Sequence, residues 1–192
     1  MPFWKLLFEA FQPFDYEILK FIHSHTSGWL DSLMIFWSDK RVWFPFYALL
    51  VGYWYLKEGK SKTIWAVFTL VLAILMADQI ASSVLKPLTE RLRPCHDSQI
   101  NFWLHLPAGC GGKFGFVSSH AGNSLAFSLC VFWLFPNQKF LIPILWIWIF
   151  MTAYSRMYLG AHFPSDILGG WLVGTFSAGI SVFTNRKMKS RF

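Results

Sequence analysis

This chain should fold as an all-α, polytopic transmembrane helix bundle of five to six spans, with an interfacial N-terminal helix and one long outer loop. Of its 192 residues 55% are hydrophobic and only 14% charged, against about 45–50% and about 25% in an average soluble domain. Twenty-one Phe and 11 Trp suit rings placed at lipid headgroups. Two basic clusters, Lys57/Lys60/Lys62 and Arg186/Lys187/Lys189/Arg191, flank apolar stretches. That is the bias of cytoplasmic loops, and it excludes a nucleic-acid surface. So few charges also exclude soluble, disordered and coiled-coil chains.

The first 40 residues hold an amphipathic stretch in which Phe14, Ile18, Phe21 and Ile22 recur at helical spacing, with Asp15, Glu17 and Lys20 elsewhere. Such a segment suits the membrane interface. Residues 29–37 are apolar but too short to cross, and Glu9 and Pro13 break any signal-peptide core. Five stretches then approach the length needed for about 30 Å of hydrocarbon at about 1.5 Å per residue. They are 42–56, 63–85, 119–135, 140–158 and 164–184, the first holding Pro45 and expected to begin before Val42. No internal repeat is visible, and 1–192 reads as a single membrane domain. With the lysine-rich join 57–62 and the basic tail both cytoplasmic, five crossings put the loop 86–118 and the turn 159–163 together on the outer side.

Polar groups near membrane depth cost several kcal/mol unless they face protein, so their positions point to function. Gln79, Ser82, Ser83 and Lys86 form a stripe up the second span. Asp78, inside that span, should pair with a cation or hydroxyl of a neighbouring helix or tune the stripe. Glu90 and Arg91 read as solvated loop charges. Lys86, Arg93, Ser118, Ser119, His120, Arg156, His162 and Asp166 all fall at helix ends on one side. Two Arg and a Lys can surround a phosphoryl dianion, with Ser118 and the free amides of Ser119 and His120 as further donors. Asp166, one turn beyond His162, can orient that imidazole and leave its other nitrogen to attack phosphorus. His120 is then placed as general acid for the leaving oxygen.

These residues resemble the three-part signature of the type-2 phosphatidic acid phosphatases: Lys86-x6-Arg93-Pro94, then Val117-Ser118-Ser119-His120, then Ser155-Arg156-x5-His162-x3-Asp166. The second part usually reads Pro-Ser-Gly-His, so Val117 and Ser119 depart from it. The resemblance covers about residues 86–170. It implies a hydrolase of the cell envelope with a phosphohistidine intermediate on His162, oriented by Asp166, with His120 as acid and base. Lys86, Arg93, Ser118, Ser119 and Arg156 would bind the phosphate. No cofactor or metal is expected, and no acidic cluster is present for one.

Cys95 and Cys110 share the outer loop, and in an oxidising compartment they should form a disulfide. A zinc site from Cys95, His96, His105 and Cys110 matches no common spacing. The expected partners are a lipid phosphate substrate and the bilayer, with no nucleic acid and no obligate protein. The expected place is a bacterial inner membrane, with the site facing the periplasm. Undecaprenyl diphosphate ranks first among substrates because so little of the chain lies outside the site. Lipid A phosphates come next, then phosphatidylglycerol phosphate or phosphatidate. An anion-binding lipid transporter would favour repeats and broken helices at mid-membrane. A serine protease built on Ser118 or Ser119 leaves the three cations without a role, and the vanadate haloperoxidases that share such an anion site are soluble.

Overall fold

The computed structural model describes residues 2–189, Lys189 by its backbone only. Arg191 and the Lys189 side chain, both in the expected basic tail, lie outside the described residues. The long elements of the described residues are all helices: α1 (Phe3–His23), α2 (Gly28–Ser38), α3 (Phe44–Glu58), α4 (Lys60–Thr89), α5 (Ser119–Leu134), α6 (Leu141–Tyr158) and α7 (Pro164–Lys189). Three of them, α4, α6 and α7, are long and apolar enough to cross a membrane. The other two expected spans are shorter, α3 with 15 residues and α5 with 16. Much of α5 is buried among the other helices instead of facing outward. The surface of the bundle carries Leu49, Ile147, Phe150, Leu172, Phe176 and Phe183, all exposed, as lipid contact requires.

Local chemistry sets the helix starts. Asp39 accepts from the Arg41 amide at 2.9 Å and fixes a 3-10 turn over Lys40–Trp43. The helix therefore starts at Phe44, not before Val42, with Pro45 in the first turn where a missing N–H is harmless. Ser118 Oγ caps α5 by accepting from the Ala121 amide at 3.4 Å. In α4 the expected polar stripe does not climb an inner face. Gln79 and Ser83 are exposed and bond one another at 2.9 Å, while Lys86 alone turns to the site. A π-helical segment, Ile80–Leu85, intervenes and breaks the 3.6-residue register on which the stripe depended.

Helices α5 and α7 meet through small residues. A Cβ on Gly170 would lie 2.4 Å from the Ser118 carbonyl, and one on Gly174 would lie 2.4 Å from the Gly122 carbonyl. This is the small-xxx-small packing by which membrane helices gain close van der Waals contact.

The two ends of the bundle differ. At one, Trp54 donates to Gln138 (2.8 Å), Gln138 donates to Glu58 (3.1 Å), and Lys62 bonds Glu58. That network gathers the joins 57–62 and 136–139. Across the other end lie α1 and α2. Both ends of α2 bond the last turn of α6: the Ser27 amide donates to the Tyr158 hydroxyl (3.3 Å), and Arg156 bonds Ser38. Neither N-terminal helix is among those long and apolar enough to cross a membrane. The faces of α1 are not those the stripe suggested. Phe14 and Phe21 point outward, while Asp15, Leu19 and Ile22 turn into the protein.

Candidate active site

The loop after α4 is clamped to the rest of the site. The Arg93 amide donates to the Lys113 carbonyl (3.1 Å), its Nε to the Phe114 carbonyl (3.1 Å), and the Gly115 amide to the Arg91 carbonyl (2.8 Å). Gly115 leaves room where none exists for a side chain: its Cβ would stand 3.0 Å from Asp166 Oδ2 and 3.3 Å from Arg93 Cγ. Cys95 and Cys110 form a disulfide with Cα atoms 5.8 Å apart. The Cys95 amide donates to the Gly160 carbonyl (3.2 Å), docking the loop on the α6–α7 turn. Cys95, His96 and Cys110 have ligand atoms within 4.8 Å of one another, but both sulfurs are consumed in the disulfide and offer no thiolate to zinc. His105 lies elsewhere, 2.7 Å from Asp31 and bonded through its amide to His23.

Five segments bring the expected residues together. Lys86 reaches from the end of α4 to Ser119 Oγ at 3.3 Å. The charges of Lys86, Arg93 and Arg156, together with His162, all act on His120. These cations and His120 are each half-buried, open on one side. His162 and Asp166 lie behind them at 1% and 0% exposure. His162 Nδ1 faces Asp166 Oδ2 at 3.6 Å, an ion-pair separation that leaves Nε2 on the other side of the ring. Burial pushes the His162 imidazole down to about 4, with Asp166 opposing, so it is neutral at neutral pH. Burial also draws the Arg93 guanidinium below its ordinary value. Ser118 is wholly buried: its amide donates to the Asp166 carbonyl (3.0 Å), while its oxygen caps α5. Asp78 meets Asn123 of α5, Nδ2 to Oδ1 at 3.4 Å, and its charge reaches Lys86.

Arg91 is not a solvated loop charge. Its side chain is 9% exposed and lies between the rings of Phe8 and Phe163, 4.5 and 4.4 Å from their centroids. Nη1 donates to Asp166 Oδ1 (2.7 Å) and Ser165 Oγ (2.6 Å), and Nη2 donates to Asp15 Oδ2 (2.6 Å). Asp15 in turn accepts from the Ser165 amide at 2.8 Å. Thus α1 is tied to the carboxylate behind His162. One sequence signal could have found this: Asp15 shares a helical face with Leu19 and Ile22, and a carboxylate among apolar neighbours calls for a buried cation. Ser38, bonded by Arg156, carried no such signal.

The geometry has counterparts among known proteins. The sequence profile of the PAP2 superfamily matches residues 66–189. The lipid A 4′-phosphatase of Bacteroides thetaiotaomicron is 32% identical over 188 residues, 96% of this chain and 83% of that protein. The undecaprenyl-diphosphatase of Sulfolobus acidocaldarius is 28% identical over 178 residues, 88% of this chain and 77% of the other. The crystal structure of Aquifex aeolicus LpxE superposes with a TM-score of 0.66 at 23% identity, covering 88% of this chain and 94% of that one.

Proposed function

The chain belongs to the PAP2 superfamily and is a membrane lipid phosphatase, and on that premise we propose that its substrate is the phosphate monoester of an acylated sugar lipid of the lipid A type. What carries this reading is the match to a lipid A 4′-phosphatase along nearly the whole chain. It displaces the ranking drawn from chain size, since small size does not distinguish lipid A from undecaprenyl diphosphate. Undecaprenyl diphosphate stays as the second reading, favoured by the Sulfolobus relative.

His162 Nε2 attacks phosphorus, Nδ1 being turned to Asp166. The bond from phosphorus to the sugar oxygen breaks as the new P–N bond forms, and His120 gives its proton to that oxygen. His120 then takes a proton from water, which attacks the phosphohistidine and releases inorganic phosphate. Lys86, Arg93 and Arg156 stabilise the equatorial oxygens, helped by Ser119 and the free amides that begin α5. Asp15 and Asp166 are both held by Arg91.

The lysine-rich join lies at the end opposite the site, which supports a site on the outer face of a bacterial inner membrane. Phosphate release from purified lipid A in detergent tests the reading. His162→Ala should abolish release, Arg156→Ala should remove most of it, and EDTA should change it little. Undiminished turnover by His162→Ala would remove the nucleophile assignment, and binding without release would indicate a transporter.

A further inference from the structure

Next to the phosphate clamp lies a cavity of about 520 Å³, within the roughly 300–1,000 Å³ of small-molecule pockets. It adjoins the clamp directly. His120 and Ser119 are in its wall, Ser119 is bonded by Lys86, and Ser38, also in the wall, is bonded by Arg156. On the side of the proposed general acid, it is where the leaving group departs.

Much of the wall is apolar, with Trp43, Phe44, Tyr47, Ile74 and Leu75. A hydrocarbon tail would need nothing else. Yet four buried polar atoms of wall residues have no hydrogen-bond partner: the indole Nε1 of Trp37 and of Trp148, Asn123 Oδ1 and Thr152 Oγ1. Trp148 and Thr152 are only 7% and 6% exposed. Asp78 stands in the same wall at membrane depth, bonded to Asn123 and in no ion pair among the described residues. Unpaired polar groups are unfavourable in a protein interior, and most find partners. A ligand can supply them where the wall side chains shift to meet it, since each atom is closed to the cavity. The indole N–H groups need acceptors such as carbonyls and hydroxyls, whereas Asp78 and Asn123 Oδ1 need N–H or O–H donors. A sugar bearing amide-linked and ester-linked acyl chains presents both kinds close to its phosphate. A polyprenyl diphosphate presents hydrocarbon and a second phosphate, which Asp78 repels and Lys40, exposed in the same wall, attracts, and it offers neither amide nor hydroxyl groups to the polar wall atoms.

We infer that this cavity recognises the amide, ester and hydroxyl groups of an acylated sugar phosphate, and that Asp78, Asn123 and Thr152 select such a substrate over a polyprenyl diphosphate. The inference rests on the lipid phosphatase reading above and names what sets its substrate.

The test compares kcat/KM of the full-length protein in detergent on a synthetic acylated glucosamine 4-phosphate and on farnesyl diphosphate. Wild type should favour the sugar. Asp78→Asn and Thr152→Val should each lower the sugar-to-diphosphate ratio by about tenfold, as expected when a polar site loses a partner. Asp78→Asn should do so partly by raising turnover of the diphosphate. If Asp78→Asn fails to fold, Thr152→Val, close in shape, decides alone. An unchanged ratio in the folded variants, or a wild-type preference for farnesyl diphosphate, overturns the inference while the phosphatase reading stands. No phosphate from either lipid overturns both.

Discussion

Arg91 balances two buried carboxylates, Asp15 on α1 and Asp166 beside His162. Its two bonds to Asp166 Oδ1 and Asp15 Oδ2 leave Asp166 Oδ2 for His162 and for the Phe163 amide, 2.9 Å away. Removing the guanidinium strands two wholly buried negative charges, a change of roughly 3–5 kcal/mol where one partner of a buried pair is lost. Arg91→Gln should therefore lower both the melting temperature and kcat, with KM moving less, since Lys86, Arg93 and Arg156 are untouched. Adding Asp15→Asn should restore part of the stability by removing one stranded charge. Thermal unfolding and steady-state kinetics of the single and double variants check this; equal melting temperatures for wild type and Arg91→Gln would contradict the pairing.

The contact between α5 and α7 sets the distance between His120 and the His162–Asp166 pair, since the Ser118 amide bonds the Asp166 carbonyl one residue before α5 starts. Gly174 makes that contact possible, because its added Cβ would sit 2.4 Å from the backbone oxygen of Gly122, which cannot rotate away. Gly174→Val should force the helices apart, lowering melting temperature and kcat together. Gly179, on the same helix, has nothing within 4 Å of an added Cβ. There Gly179→Ala should be neutral or stabilise by about 0.5–1 kcal/mol through helix propensity alone. The pair of variants, measured side by side, separates packing from propensity.

Stability of the whole molecule should depend on pH through His162. Its folded-state value is near 4, below the ordinary 6.5. Between those values the unfolded chain binds a proton that the native state refuses, so folding is favoured above about pH 6.5 and weakens as pH falls toward 4. The melting temperature should drop by several degrees over that window, and the drop should shrink in His162→Gln, measured by unfolding at stepped pH. The same neutrality should keep turnover from failing through His162 until pH falls toward about 4. The helix content, the three long apolar helices and the starts of α5 and α7 were legible in the chain, because each depends on local composition or spacing within about one turn; the three motifs were legible through their resemblance to a family signature. The burial of Arg91 was not legible, because it is decided by Asp15, 76 positions away. Nor was the exposed course of the Gln79–Ser83 stripe, which a π-helical segment turned aside. The sequence by itself determined that this protein is a helical membrane phosphatase and which side chains could meet a phosphate. Only the tertiary structure decided which charges back His162 and which polar atoms of the cavity's residues are left unpaired, because burial and partnership are properties of helices brought together, and no single helix carries them.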